Sequence, residues 1–367
     1  MNLLRFITDG GSPFLYAQAV SGYKVLRWTE RHREAGELEI EAPLSSGLRD
    51  VLPPGTFVTH VDTKEVMIIE DHHIEQKKLE DPKLKITGRS LDSFLENRIV
   101  GAEYGFGTPA VPPTEYELPA TADPGYQIVV FIADHCKAGV GGVIDSDDAL
   151  PYTDVAYTPY IEATDALVLK RGSVYEALTD LLLQRDYGLK TVRDDLGIVD
   201  FHVHYGEDKS ADVLFSWGLD ELAALEYLFT NRKLKNTAYV MGRYASKMVY
   251  TGATYWDRRV MFVDASDLDS HLTAIPGGGT LTTIQNKMAA RGMAALLGQV
   301  DLNMAQFDIS PDSRYKYRVD YNLGDIVSIQ GDFGDLELRR VTEYTEIEDE
   351  NGETGHPTLS EIIILRA

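Results

Sequence analysis

A single cysteine, Cys136, stands in 367 residues. One thiol excludes an intrachain disulfide framework and any zinc site built on paired cysteines. No apolar run approaches the roughly 18 residues that would span a bilayer. The N-terminus, MNLLRFITDGGSP, lacks the basic start and long apolar stretch of a secretory leader, which points to synthesis in the cytoplasm. Basic residues are scarce: 35 Lys and Arg stand against 58 Asp and Glu, a net charge of −23. Gripping nucleic acid by its phosphates takes clustered Lys and Arg, and so does lying on an anionic membrane. Both are disfavoured, whereas solubility is favoured by charge far from zero. Also missing are a GxSxG elbow, an HExxH pair, a Walker loop and a Rossmann fingerprint.

What is present suits an ordinary globular chain, with 44% hydrophobic and 25% charged residues. At roughly 100–200 residues per domain, the length predicts two or three domains. The first ninety residues read as strands. Leu38, Ile40 and Ala42 alternate with Glu37, Glu39 and Glu41, the period-2 signature of a half-buried strand. Segments 56–61 and 65–70 flank the turn Asp62-Thr63-Lys64, and 74–78 and 83–87 flank Glu80-Asp81-Pro82. At Gly88 the pattern changes, with Ser90 as a helix-cap candidate before Leu91, Phe94 and Leu95. Five prolines between 109 and 124 mark a linker-like stretch.

Residues 126–137 read as a helix with Ile128, Val129, Phe131, Ile132 and Cys136 on its apolar face. Residues 173–185 form the clearest helix, where Ser173 and Glu176 make a capping box. Strands are expected at 189–193 and 198–205, a short helix at 218–228, and strands at 239–243, 248–255 and 259–263. A second strong helix follows at 280–297. The chain then returns to strands at 303–309, 326–329, 336–347 and 361–365, with 349–355 as a polar hairpin tip. Strands and helices do not alternate regularly, so a doubly wound sheet is disfavoured. The expected class is α+β: two small antiparallel β-barrel-like domains with mixed helix and loop regions between them. The first covers residues 1–88, the mixed region 89–205, and the second 206–367 with the helix at 280–297.

The residues with chemical potential each have a plainer reading. His135 and Cys136 are helix neighbours about 100° apart, so they do not face one another, and Cys136 belongs to the apolar stripe. His202 and His204 share one strand face with Asp200, and Glu207 is near, but two histidines and a carboxylate lack a third fixed ligand. The simpler reading is an exposed polar face opposite Phe201, Val203 and Tyr205. His72 and His73 point to opposite faces. Asp145, Asp147, Asp148 and Asp154 lack the glycine and terminal glutamate of a calcium loop. Asp9-Gly10-Gly11 and Pro276-Gly277-Gly278-Gly279 read as turns. The sequence assigns no catalytic residue, no metal and no cofactor. In Tyr321-Asn322-Leu323-Gly324-Asp325, Gly324 supplies backbone freedom and Asp325 the turn hydrogen bond.

Four segments together resemble the tail-hub proteins of long-tailed bacteriophages, a family related to contractile baseplate hubs and to the hub domain of tail-associated lysins. They are Trp28 with Gly36-Glu37-Leu38-Glu39-Ile40; Ile86-Thr87-Gly88-Arg89-Ser90-Leu91 with Leu95, Arg98 and Ile99; Val213-Leu214-Phe215-Ser216 with Asn236-Thr237-Ala238-Tyr239-Val240-Met241-Gly242; and Asn322-Leu323-Gly324-Asp325-Ile326-Val327 with Arg340-Val341-Thr342-Glu343 and Pro357-Thr358-Leu359. The resemblance implies a homotrimer that closes the distal end of the tail tube, with two similar domains per subunit matching a hexameric ring. It implies a virion protein at the tail tip, in contact with the tube ring, the distal tail protein, the tape measure protein and central fibre or tip proteins. It implies a structural role in DNA ejection rather than an enzyme. Three copies of a −23 chain would carry −69 about one axis, a charge that lets DNA pass without sticking. A plug is expected from residues 101–123 or 139–158. The alternative is a cell-wall-degrading or receptor- or carbohydrate-binding tip protein.

Overall fold

The computed structural model describes residues 3–7, 15–60, 62–78, 81–100, 115–136, 150, 153–159, 167–170, 172–219, 221–229, 235–250, 255–266, 268, 281–297, 303–310, 313–331 and 336–361. Seven antiparallel strands open the chain: β1 (Leu3–Ile7), β2 (Leu15–Val20), β3 (Val25–Arg31), β4 (Glu37–Pro43), β5 (Phe57–His60), β6 (Val66–Glu75) and β7 (Lys83–Ser90). A single turn, α1 (Leu48–Val51), lies between β4 and β5. The alternation read in β4 is real: Leu38, Ile40 and Ala42 are buried with Leu26, Trp28, Met67 and Ile86 in the first core. Of the segment expected as a separate strand at 74–78, residues 74 and 75 are instead the end of β6 and residues 76–78 lie outside any strand.

The expected switch at Gly88 comes two residues later. Gly88 stays in β7 opposite a bulge in β6, and a Cβ there would run into the Ile68 carbonyl. The expected helix after it is a 3-10 segment, Leu91–Asn97, and Ser90 does not cap it. Its hydroxyl accepts from the Gly36 N–H at 2.7 Å and donates to Asp92, so tertiary contacts have taken the cap's oxygen.

The middle lobe contains β8 (Glu115–Leu118), α2 (Pro124–Cys136), β9 (Thr153–Tyr157), β10 (Leu167–Lys170), α3 (Val174–Arg185), β11 (Gly188–Arg193) and β12 (Val199–His204). β11 pairs antiparallel with β12, and β12 pairs parallel with β9. Ile128, Phe131, Ile132 and Cys136 of α2 meet Leu178, Leu181 and Leu182 of α3 over Phe201 and Val203 of β12. Ser173 caps α3, accepting from the Glu176 N–H at 3.5 Å.

The third lobe holds β13 (Leu214–Ser216), β14 (Leu222–Phe229), β15 (Thr237–Met241), β16 (Ser246–Tyr250), β17 (Val260–Asp264), α4 (Leu281–Leu297), β18 (Asn303–Ile309), β19 (Ile326–Gln330), β20 (Leu336–Asp349) and β21 (Gly352–Glu361). Residues 218–228, expected to be a short helix, are a 3-10 turn followed by β14, because that backbone pairs with β18 some eighty residues on. The hairpin between β20 and β21 is tighter than expected. Glu350 and Asn351 make the tip, and β21 starts at Gly352, where φ is +125°. Its polar, half-exposed sides hide the period-2 signal.

β3 pairs antiparallel with β20, from Leu26 opposite Glu348 to Arg31 opposite Glu343. This joins the chain's two β-rich ends into one 13-stranded sheet running β14-β18-β21-β20-β3-β4-β7-β6-β5-β1-β2, with β19 paired to β20 and β13 paired to β19. The α+β class holds. No barrel closes among the described residues; the two lobes share one sheet whose outermost strands on that path are β14 and β2.

Two glycines let the middle and third lobes cross. Gly324 has φ +89°, and a Cβ on Gly206 would overlap its carbonyl. Across the crossing, the Asp325 carboxylate accepts from the N–H groups of Asn322 and Glu207, each at 2.8 Å. Gly206→Ala is expected to lower stability by about 3 kcal/mol through overpacking. Gly47→Ala, also at positive φ but with open space around it, is expected to cost about 1 kcal/mol. Urea midpoints of the two variants check the contrast.

Candidate functional site

Two residues beyond a buried tryptophan on β3 is a buried acid. Glu30 shares a strand face with Trp28 and is 2% exposed. Three groups from other lobes converge on it: the Tyr317 hydroxyl donates at 2.5 Å, Arg318 Nη2 donates at 2.9 Å, and Lys190 Nζ lies 3.6 Å away. Burial alone would raise the Glu30 carboxyl, but Lys190, Arg318 and Tyr317 outweigh it and hold it below the ordinary range, as a carboxylate. Arg318 reaches it from a left-handed backbone, φ +66°. Glu65, also buried, goes the other way. Desolvation and the nearby Glu30 charge push it well above the usual range, which favours its protonated form.

One residue beyond β3, His32 continues the seam. Its Nδ1 lies 3.2 Å from His204 Nε2, so one neutral ring donates to the other. Burial lowers His32 well below its ordinary value and lowers His204 to about 3, helped by Lys190. Gly188 and Gly324 enclose the His32 ring, and a Cβ on either would strike it. Beside them Arg340, 4% exposed, donates to the Gly324 carbonyl at 2.6 Å and to Asp186 at 2.7 Å. Asp186 is the left-handed C-cap of α3, which aims its carboxylate between Arg340 and Arg33.

A cleft of about 620 Å³ opens next to this seam, walled by Tyr315, Tyr317, Tyr344, Arg318, Glu346 and Glu353. Tyr317 and Tyr344 stack with centroids 3.9 Å apart. Burial and a hydrogen bond with Glu353 raise the Glu346 carboxyl to about 7, against the pull of Arg318. The arrangement holds charge and protons between lobes.

Of the residues weighed from sequence for chemistry, His204 enters this seam, joined by the turn residue Gly324 and by Arg340. Asp200, His202 and His204 do share a face, but it is half-buried rather than exposed, and the His32 ring packs edge-on against His204. Glu207 turns away to pair with Lys209 at 2.5 Å. Among the described residues no three His, Cys, Asp or Glu side chains gather as metal ligands. His72 bonds the Leu52 carbonyl at 2.6 Å, His73 is exposed, and Cys136 is a core residue. Asp145, Asp147, Asp148, the 9–11 and 276–279 turns, and most of both expected plug segments lie outside the described residues. Glu30, Lys190 and Arg318 gave no sequence signal beyond charges set among apolar neighbours.

A family profile, described as Siphovirus ReqiPepy6 Gp37-like protein, matches residues 12–359. The chain belongs to that family. Among curated proteins none matches its sequence significantly. Its fold is similar to that of the 43 kDa tail protein of prophage MuSo2 from Shewanella oneidensis, at 12% identity and TM-score 0.57 over 98% of each chain. It is similar also to a tail protein from Neisseria meningitidis (12%, TM-score 0.55, 98% and 97% covered) and to prophage tail protein gp18 from Listeria monocytogenes (9%, TM-score 0.53, 99% and 95% covered). No helix among the described residues is long and apolar enough to cross a membrane.

Arg340→Ala removes a buried guanidinium from the Gly324 carbonyl and from a half-exposed Asp186 that Arg33 still holds, and a loss of about 2 kcal/mol is expected from urea unfolding. The pH dependence has two opposed parts. His204, ordinarily near 6.5 and here about 3, stabilises the fold above about pH 6.5 and loses that contribution as pH falls, by at most about 1.4 kcal/mol per pH unit. Glu346, raised to about 7, favours the fold at low pH and loses its contribution as pH rises through about 7. His204→Gln should flatten the acid limb of a stability–pH curve, and Glu346→Gln the neutral-to-alkaline limb.

Proposed function

We propose that this chain is a baseplate or tail-tip hub, a structural virion protein that closes the distal end of a siphovirus tail tube and forms part of the DNA ejection channel. Family membership and the tail-protein fold support a structural role in the virion tail. The observation that carries the finer reading is the seam. Two β-rich ends of one chain are joined edge to edge through β3 and β20, with a middle lobe locked across them by Glu30, Lys190, Arg318, His32 and Arg340. A hub needs two β-rich lobes per subunit, and as a homotrimer they would present six to the ring above.

In this reading the partners are the distal tail protein, the tube ring, the tape measure protein and central fibre or tip proteins. The work is mechanical: host contact shifts the packing between lobes and the lumen opens, with no chemical step. Immunogold electron microscopy of virions tests the position. Label at the distal tail tip is expected, and label along the tube or on the capsid would sink the reading. A turbidity assay on host cell walls should show no lysis; clearing would make the protein an enzyme instead.

A further inference from the structure

We propose that the outer face of the β16-β15-β17 sheet is the contact by which a second copy of this chain docks, in a head-to-tail interface. The proposal rests on the hub reading above and names the surface through which its subunits meet.

The sheet has one covered side and one bare side. Ala238, Val240, Val249, Met261 and Val263 pack on Ile284 and Met288 of α4. Gly292 brings that helix close, since a Cβ there would press on Val240 and Val249. The alternate residues form the other side by register: Tyr239, half-buried, lies between Met248 and Phe262, and Thr237, itself buried, between Tyr250 and Val260, so the exposed part is carried by the flanking strands β16 and β17. Phe262 is 63% exposed, Tyr250 61%, and Trp256, just before β17, 99%. Single exposed apolar residues need no explanation, but several on and beside one three-stranded sheet mark a contact surface.

The charge selects the occupant. Residues 230–259 contain seven Lys and Arg and one acid, Asp257, a local +6 in a chain of −23, so the remainder carries −29. Arg258 lies on the bare side, its Nη2 4.0 Å from Met248 Sδ, and Arg243 stands exposed over Tyr244 at the end of β15. Neither makes an ion pair among the described residues; Asp264, at the end of β17, holds Ser266. An aromatic face rimmed by unpaired arginine complements the acidic surface that the rest of every copy presents. Two copies meeting through this same face would set arginine against arginine. The contact is therefore heterologous, which with identical subunits closes a ring when the rotation allows.

Light scattering and sedimentation of the full chain test this, against the 40.9 kDa subunit mass. The wild-type protein is expected to form a multimer, and Phe262→Asp combined with Arg258→Glu to raise the dissociation constant at least about tenfold, as loss of an aromatic or arginine anchor does. Both positions face solvent, so at dilutions where both proteins are dissociated the thermal transition should not move. Leu196→Asp, at an exposed turn elsewhere, should leave the mass unchanged. A wild-type multimer that survives the double substitution overturns this face as the interface and leaves the hub reading standing. A wild-type monomer at every concentration overturns the second copy as occupant, while tip labelling in virions would still support a hub. Binding of a labelled oligonucleotide or cell-wall polysaccharide, lost in the double variant, also overturns the proposal.

Discussion

A carboxylate charge buried between lobes has to be neutralised where it sits, and in this chain the groups that neutralise Glu30 come from elsewhere in the sequence. Lys190 arrives from the middle lobe, and Tyr317 and Arg318 from the third. The desolvation cost of such a charge is several kcal/mol, so the cluster adds little net stability. What it adds is position. Only one arrangement of the three lobes brings a phenol, a guanidinium and an ammonium to the same two oxygens, and any slip of β3 against β20 would strand the charge.

The rest of the seam is built on that constraint. The β3–β20 register sets Arg31 against Glu343, with Nε donating at 2.6 Å, and Thr29 against Thr345 at 3.0 Å. It also carries His32 to the place where Gly188, Gly324 and His204 leave room for a neutral imidazole and for nothing larger. Arg340 then ties the Gly324 turn to the end of α3. Charged, neutral and glycine elements are thus stacked along one line where the lobes meet. A packing change between lobes must break several of them together, which suits a two-state opening better than gradual deformation.

The acidic composition and the basic sheet belong to one picture. A strongly acidic chain repels its copies at long range, but screening confines that repulsion to about 10 Å at moderate salt. At contact, local complementarity decides. In the assembly proposed above, a small aromatic and arginine-rimmed face on an otherwise acidic protein would give adhesion in one direction and leave acidic surface free.

Local chemistry wrote much of this structure into the sequence. The alternation in β4 follows from burying every second residue, the α3 cap from Ser173 and Glu176, and the Gly324-Asp325 turn from a positive φ and a carboxylate short enough to bond its own backbone. Each depends on neighbours within a few positions. Where a distant partner decided, the sequence was silent or misleading: β14 is a strand because β18 lies beside it, Ser90 serves Gly36 rather than a helix, and the 206–210 strap fits because two glycines cross. The seam was the least legible of all. Glu30, Lys190 and Arg318 are ordinary charges along the chain, and only folding brings them within bonding distance, because the low dielectric between lobes makes pairing compulsory there and optional everywhere else.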